Sequence, residues 1–222
     1  MKEITIVTLF PDIFTGPFNQ SILKRAQNRN LIHISLVNLR DYATDSYKTV
    51  DGKPYGGGQG MVLRVDVVDR CLTDLLEKSQ IPRNLTRILI TDPRGEVYSQ
   101  SKASQYLEYD RIIIICGHYE GADERIIGLV DEQVSVGEYI LTGGEIPAMI
   151  ITDSITRLIP GVLKNLDATR DESFSEAGTL EYPQYTEPRE YQGKSVPDVL
   201  IGGNHKLIAE WKTDHLKHRI RK

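Results

Sequence analysis

Residues 111–116 read Arg-Ile-Ile-Ile-Ile-Cys. Four successive β-branched apolar residues favour an extended backbone. In a strand they point alternately to opposite faces, so both faces of this one need cover. That demand is met by a parallel sheet with helices on both sides. Similar short runs rich in Ile and Val recur at 4–10, 33–39, 87–91 and 133–139. Helical periodicity falls between them, at 21–30, 65–78, 123–130 and 146–159. In the second of these, Val65, Val68, Leu72, Leu75 and Leu76 share a face. Alternating strands and helices predict an α/β fold with a mostly parallel sheet and a ligand site outside the carboxyl ends of the strands.

A chain of 222 residues has room for one large domain, or one domain with a small appendage. Composition changes after Pro160. Residues 161–197 carry charges, Gly, Pro and Tyr without a sustained period, which reads as a linker. A short C-terminal helical segment follows in 198–222, its helix starting near Asn204 and including Trp211. The formal charge of −4 gives no overall positive field toward nucleic acid. The tail differs, with Lys212, Lys217, Arg219, Arg221 and Lys222 against Asp214. It reads as a solvated helix end or as a nucleic-acid contact. Cys71 and Cys116 form neither a CxxC nor a zinc pattern, which fits buried thiols in a reducing compartment. The apolar run at 4–10 is too short for a signal-peptide core, and no segment approaches a membrane span. A soluble cytoplasmic protein is expected.

Three glycine-rich corners carry the chemistry. The first, Lys53–Met61, reads KPYGGGQGM. A phosphate-binding P-loop would follow its last Gly with Lys and Ser or Thr, but Met61, Val62 and Leu63 stand there. Taken alone it is a flexible turn. The second corner, CGHYEGADER (116–125), follows the strongest strand and opens a helix whose first turn holds Asp123 and Glu124. The third, VGEYILTGGEIPAM (136–149), turns at Gly143 and Gly144, places Glu145 near a helix start and puts Pro147 in the first turn. Acids at these helix starts occupy the place a phosphate would want. Bare backbone without Lys suits a neutral or cationic ligand with an adenine-like edge. S-adenosylmethionine, a sulfonium without phosphate, is such a ligand.

Together PYGGGQGM, CGHYEGADER, VGEYILTGGEIPAM and DSITRLIPGVL resemble the bacterial tRNA (guanine-N1)-methyltransferase family, of the SPOUT class. The resemblance runs from LFPDIF (9–14) to GGNHKLIAEW (202–211). It implies a trefoil-knotted methyltransferase core over 1–160, with the linker and a tRNA-binding segment after it. It implies a homodimer with shared active sites. The reaction would be methylation of N1 of guanosine at position 37 of tRNA, next to the anticodon, with S-adenosylmethionine as donor and Mg2+ as a candidate requirement. Carried over residue by residue, the cofactor pocket comprises Thr91, Asp92, Pro93, Gly95, Gly117, Tyr119, Glu120, Gly121, Val136, Gly137, Tyr139, Ile140, Leu141, Gly143 and Gly144. Glu120 is the candidate for the cofactor's ammonium group or the metal, and PYGGGQGM packs beside the cofactor.

Guanine N1 carries a proton, so a base must take it while a fixed donor stabilises the charge moving onto O6. Arg157 matches the family's catalytic arginine. Spacing alone would make it the i,i+4 surface partner of Asp153. The family pattern has Asp directly before Ser-Phe. Here TRDESFS places Glu172 in that position and Asp171 one step earlier, so Glu172 is the expected base and Asp171 the alternative. His118 is assigned no chemistry, and His205 reads as a structural or capping residue. Tyr182, Tyr185 and Tyr191, with Arg189, either stack on unpaired bases or pin the linker. Family members usually carry further helices beyond this length, so fewer tRNA contacts are expected here. Two other functions are weighed: a catalytically weak RNA-binding protein of the same fold, and a phosphate-nucleotide enzyme using the glycine loops.

Overall fold

The computed structural model describes residues 1–164, 172–175 and 178–218. The chain forms two compact units, Met1–Lys164 and Asn165–Lys222.

The first unit is built on a five-stranded parallel sheet. Its strands are β1 (Lys2–Thr8), β2 (Ile32–Asn38), β3 (Thr86–Val97), β4 (Arg111–Cys116) and β5 (Glu132–Ser135). Their order across the sheet is β2-β1-β4-β3-β5. The helices are α1 (Ser21–Asn28), α2 (Val65–Glu77), α3 (Gln100–Gln105) and α4 (Glu145–Leu158). Every residue of β4 is buried, and its side chains part as the pattern predicts. Ile112 and Ile114 join Ile4, Ile6, Leu89 and Val134 under α1 and α4, where Leu23, Ala26, Ala148, Ile151 and Ile155 close one core. Ile113 and Ile115 join Val7, Ile88 and Ile90 on the other face, covered by Val67, Val68, Cys71 and Leu72 of α2.

Several boundaries depart from the expectation, each for a local reason. The strand expected at 4–10 stops at Thr8, because Pro11 has no N–H and starts a 3-10 turn, Pro11–Phe14. The strand expected at 133–139 stops at Ser135, whose hydroxyl donates to the Gly137 carbonyl and turns the chain away. The strand expected at 87–91 resumes after an excursion: Thr91 and Glu96 both lie opposite Val134, and Asp92–Gly95 loops out between them. The helix expected at 123–130 is a 3-10 helix, Glu124–Leu129. Asp123 caps it by accepting the Arg125 N–H, while Ile126 bonds back only three residues, to the Asp123 carbonyl. Helix α3 has no counterpart in the sequence expectation because its polar sequence carries no apolar period; Ser99 caps it.

At the amino end of β5, Glu132 collects three donors. Arg87 lies 3.1 Å from one carboxylate oxygen, the Tyr106 hydroxyl donates to the same oxygen at 2.9 Å, and Lys102 bonds the other. The cluster ties β3, α3 and β5 together. Burial pushes the Glu132 carboxyl up, but the bonds from Lys102, Tyr106 and Arg87 outweigh it and hold the group below its ordinary value of 4.5.

In the second unit, Glu172 and Ser175 bracket a turn closed by the Ser175 N–H on the Glu172 carbonyl, and Phe174 N–H donates to Thr179. Two short ladders pair Thr179–Leu180 with Lys217–His218 and Glu190–Tyr191 with Lys194–Ser195. Helix α5 (His205–Asp214) is capped by Asn204, whose side chain accepts from Lys206 and Leu207; His205 is the first helical residue and not the cap. Trp211 gathers Tyr182 and Tyr185 at ring distances of 6.4 and 6.3 Å and stacks on His215 at 4.0 Å. Tyr191 is exposed. The basic tail residues Arg219, Arg221 and Lys222 lie outside the described residues. Among the described residues no helix is long and apolar enough to cross a membrane.

The Glu132 cluster makes stability acid-sensitive in a defined direction. Its contribution is complete above the unfolded carboxyl's value and is lost as pH falls through the lower folded value. Thermal denaturation from about pH 5 to about pH 3 should show this, with Glu132→Gln less stable at neutral pH and flatter across that window. Parallel curves for the two proteins would contradict it.

Candidate active site

At the carboxyl ends of β3, β4 and β5 three turns close on one another. The Thr91 hydroxyl, at the end of the paired part of β3, accepts from the Gly117 N–H at 3.0 Å and donates to the Ile115 carbonyl at 3.3 Å. The Gly144 N–H donates to the Gly117 carbonyl at 2.8 Å. Neither glycine of this crossing has room for a side chain. A Cβ on Gly144 would overlap the Thr91 hydroxyl and stand 2.6 Å from the Gly117 nitrogen, and a Cβ on Gly117 would overlap the Thr91 carbonyl. The glycines are therefore required by close backbone approach.

The crossing walls a cavity of about 360 Å3. It is lined by Thr91, Asp92 and Pro93 from the β3 excursion, and by Gly117, Tyr119, Glu120 and Gly121 from the turn after β4. Val136, Gly137, Tyr139, Ile140, Leu141, Gly143 and Gly144 come from the segment between β5 and α4. Of the residues expected to hold the cofactor, Gly95 alone is not in the lining. It sits where a Cβ would meet the Gln133 and Val134 backbone at 2.5 Å, so it lets β3 rejoin β5. The lining also takes His118, Ala122, Val134, Ser135, Thr142 and Pro147, which were not among the residues expected to hold the cofactor. Most of them fall inside or beside the expected corners, so the signal was position in the corner and not residue type.

The glycine-rich stretch 53–61 meets this site through its last glycine. Gly60, at φ +80°, packs so closely on Glu120 that a Cβ would overlap the Glu120 side chain. The Glu120 N–H donates to the Met61 carbonyl at 3.1 Å, and the Leu63 N–H to the Gly121 carbonyl at 3.0 Å. The opening motif is thus a buttress for the second corner.

Among the described residues the lining contains no Lys or Arg. The nearby cation Arg94 is neutralised by Asp92 at 3.2 Å and Glu124 at 2.9 Å, and these two acids raise its pKa. Asp123 carries Arg125 at 2.7 Å and is pulled down to about 2 by that bond. Among the described residues no Lys or Arg stands in the wall to meet a phosphate group, which weighs against a phosphate-nucleotide enzyme. The Cys116 thiol is pushed well up by burial and by nearby Glu145, so it stays protonated. Among the described residues no group of three or more His, Cys, Asp or Glu is disposed to hold a metal ion.

Known proteins supply the context for this geometry. The family model described as tRNA (Guanine-1)-methyltransferase TrmD matches residues 1–222. The chain belongs to this family. A relative named tRNA (guanine-N(1)-)-methyltransferase from Dictyoglomus turgidum (strain DSM 6724 / Z-1310) is 45% identical over 212 residues, 96% of this chain and 84% of the relative. One of the same name from Staphylococcus aureus (strain N315) is 51% identical over 211 residues, 95% of this chain and 84% of the relative. The family carries the SPOUT fold, and the parallel α/β sheet of the first unit is consistent with it.

The expected catalytic residues divide between the two units. Arg157 lies in the last turn of α4, half-buried, and has an interaction partner. Glu172 is also half-buried and partnered, at the turn that opens the described part of the second unit. Asp171 lies outside the described residues.

The crossing predicts a graded response. Thr91→Val leaves the Gly117 N–H without its acceptor and should cost about 1–3 kcal/mol, while Thr91→Ser should recover most of it. Gly144→Ala should be worse than Thr91→Val, because its methyl has nowhere to go. Denaturation curves check the order; an Ala at 144 as stable as Gly would refute the account.

Proposed function

We propose that this chain is an S-adenosylmethionine-dependent tRNA (guanine-N1)-methyltransferase that acts on the guanosine at position 37, next to the anticodon. One observation carries the reading most: in a chain of this family, the turns that follow β3, β4 and β5 meet in a single cavity whose described lining holds no Lys or Arg. The cavity suits the donor chemically. Pro93, Val136, Ile140, Leu141 and Pro147 offer apolar walls to an adenine, and the bare backbone around Gly143 offers polar groups to its edge. Glu120 is the candidate carboxylate for the donor's ammonium group or for Mg2+. When bound, S-adenosylmethionine supplies the methyl group from its sulfonium, which a Lys or Arg in the wall would repel.

The chain's own residues have two tasks at the base. Glu172, with Asp171 as the alternative, takes the proton from guanine N1 as the N1–methyl bond forms and the sulfur–methyl bond breaks. Arg157 donates to O6 and stabilises the charge that gathers there. Orientation of N1 in line with the donor supplies much of the remaining acceleration.

Association with a second copy belongs to the same reading. Phe10, Ile13, Ile140, Ile146 and Ile150 are large apolar side chains left exposed in the first unit, and Ile146 and Ile150 are one turn apart on α4. Apolar surface of this kind marks interaction sites. The relatives are named as methyltransferases, so an RNA-binding protein without catalysis is not favoured.

Transfer of labelled methyl from S-adenosylmethionine to tRNA transcripts tests the reading. Label should enter a transcript with that guanosine and not one with adenosine in its place. Arg157→Ala should lower turnover by a factor of about 100 or more, the scale of a lost electrostatic donor, with donor binding nearly intact. Equal label in both transcripts would refute the site, and equal loss of binding and turnover would make Arg157 structural.

A further inference from the structure

Glu145 is a carboxylate almost removed from water, only 4% exposed, at the first turn of α4. A buried charge of this kind survives only with partners. Its Oε1 accepts from the Thr8 hydroxyl at 2.8 Å, and its Oε2 lies 3.3 Å from His118 Nε2. Thr8 in turn accepts from the Phe10 N–H at 3.0 Å. The His118 ring lies 5.2 Å from Phe10 and 5.6 Å from Tyr119, which limits its freedom to turn. Gly143 completes the arrangement. A Cβ there would overlap the Glu145 carboxylate and stand 2.5 Å from His118 Nε2, so only glycine lets the two side chains meet.

One carboxylate therefore joins the end of β1, the turn after β4 and the turn before α4. His118 and Gly143 line the cavity; Glu145 stands behind them. The helix terminus adds a reason for its place, since an acid in the first turn is favoured by the helix dipole. Thr8 and Glu145 are separated by most of the unit's length in sequence, so the tie exists only in the folded chain.

We infer that Glu145 is a positioning residue for the donor pocket, acting through His118 and Gly143 to hold two of its walls at a fixed separation. The inference rests on the proposed function, because the ligand in question is S-adenosylmethionine. The walls then meet the donor preorganised, and their slackening shows in donor affinity before it shows in the chemical step.

Titration calorimetry with S-adenosylmethionine, alongside steady-state kinetics on tRNA, tests this. Glu145→Gln keeps the shape and the acceptor for Thr8 but turns an N–H toward His118. Its dissociation constant should rise about tenfold, the scale of one lost polar contact behind the wall, while kcat at saturating donor falls less than about threefold. His118→Gln should give a similar rise, and the double variant should bind no more weakly than the worse single one, since both break the same contact. If Glu145→Gln fails to fold, His118→Gln alone carries the binding and kinetic test. Wild-type affinity in a folded variant, additive effects in the double variant, or a loss confined to kcat would each overturn the inference. Failure of the unmodified protein to bind the donor would sink the proposed function and this inference with it; binding by the unmodified protein and equal binding by the variants would sink the inference alone.

Discussion

The meeting of Thr91, Gly117 and Gly144 governs the geometry of the first unit's working end. Three turns reach one point through backbone atoms, with a single hydroxyl between them. That contact requires glycine at two positions and a small hydroxyl at the third. It also starts α4 at Glu145, immediately after the crossing, and so brings that carboxylate to His118 and Thr8. Most of the cavity wall is a continuation of the same three turns. A larger residue at the crossing would separate the strands' carboxyl ends and open the pocket as a whole.

The sheet has two electrostatically different ends. At the amino end Arg87, Lys102 and Glu132 form a closed charge cluster that binds strand to strand and strand to helix. At the carboxyl end no Lys or Arg lines the cavity among the described residues, and a nearby one, Arg94, is spent on Asp92 and Glu124. Formal charge summed over the chain says nothing of this division. The local arrangement makes one end a structural tie and leaves the other receptive to a ligand that carries positive charge and no phosphate.

Much of the fold was legible because its signals are local. Ile112–Ile115 announce a strand covered on both faces, and the period of Val68 and Leu72 announces the helix that covers one of them. The glycine corners were legible as corners, since bare backbone beside acids already argues against phosphate. Other features were not. Helix α3 is polar throughout its cap and first turn, so no period reveals it. The return of β3 to β5 after Asp92–Gly95 depends on pairing with Val134, a residue far along the chain. His118 looked chemically idle because its partner Glu145 belongs to another corner, and no local signal shows that Gly95 packs on the backbone of β5.

By itself the sequence determined the α/β class, the places of the strands and major helices, the family and the segments that line the cavity. These follow from periodicity, from turn residues and from motifs, all of which act over a few neighbouring positions. Only the tertiary structure decided that the turns after β3, β4 and β5 share one cavity, that Gly60 buttresses Glu120, and that Thr8, His118 and Glu145 form one contact. The reason is distance along the chain. A glycine's sequence context shows that backbone is bare, but what presses against it comes from a strand or turn tens of residues away, and only packing brings that partner within a van der Waals radius.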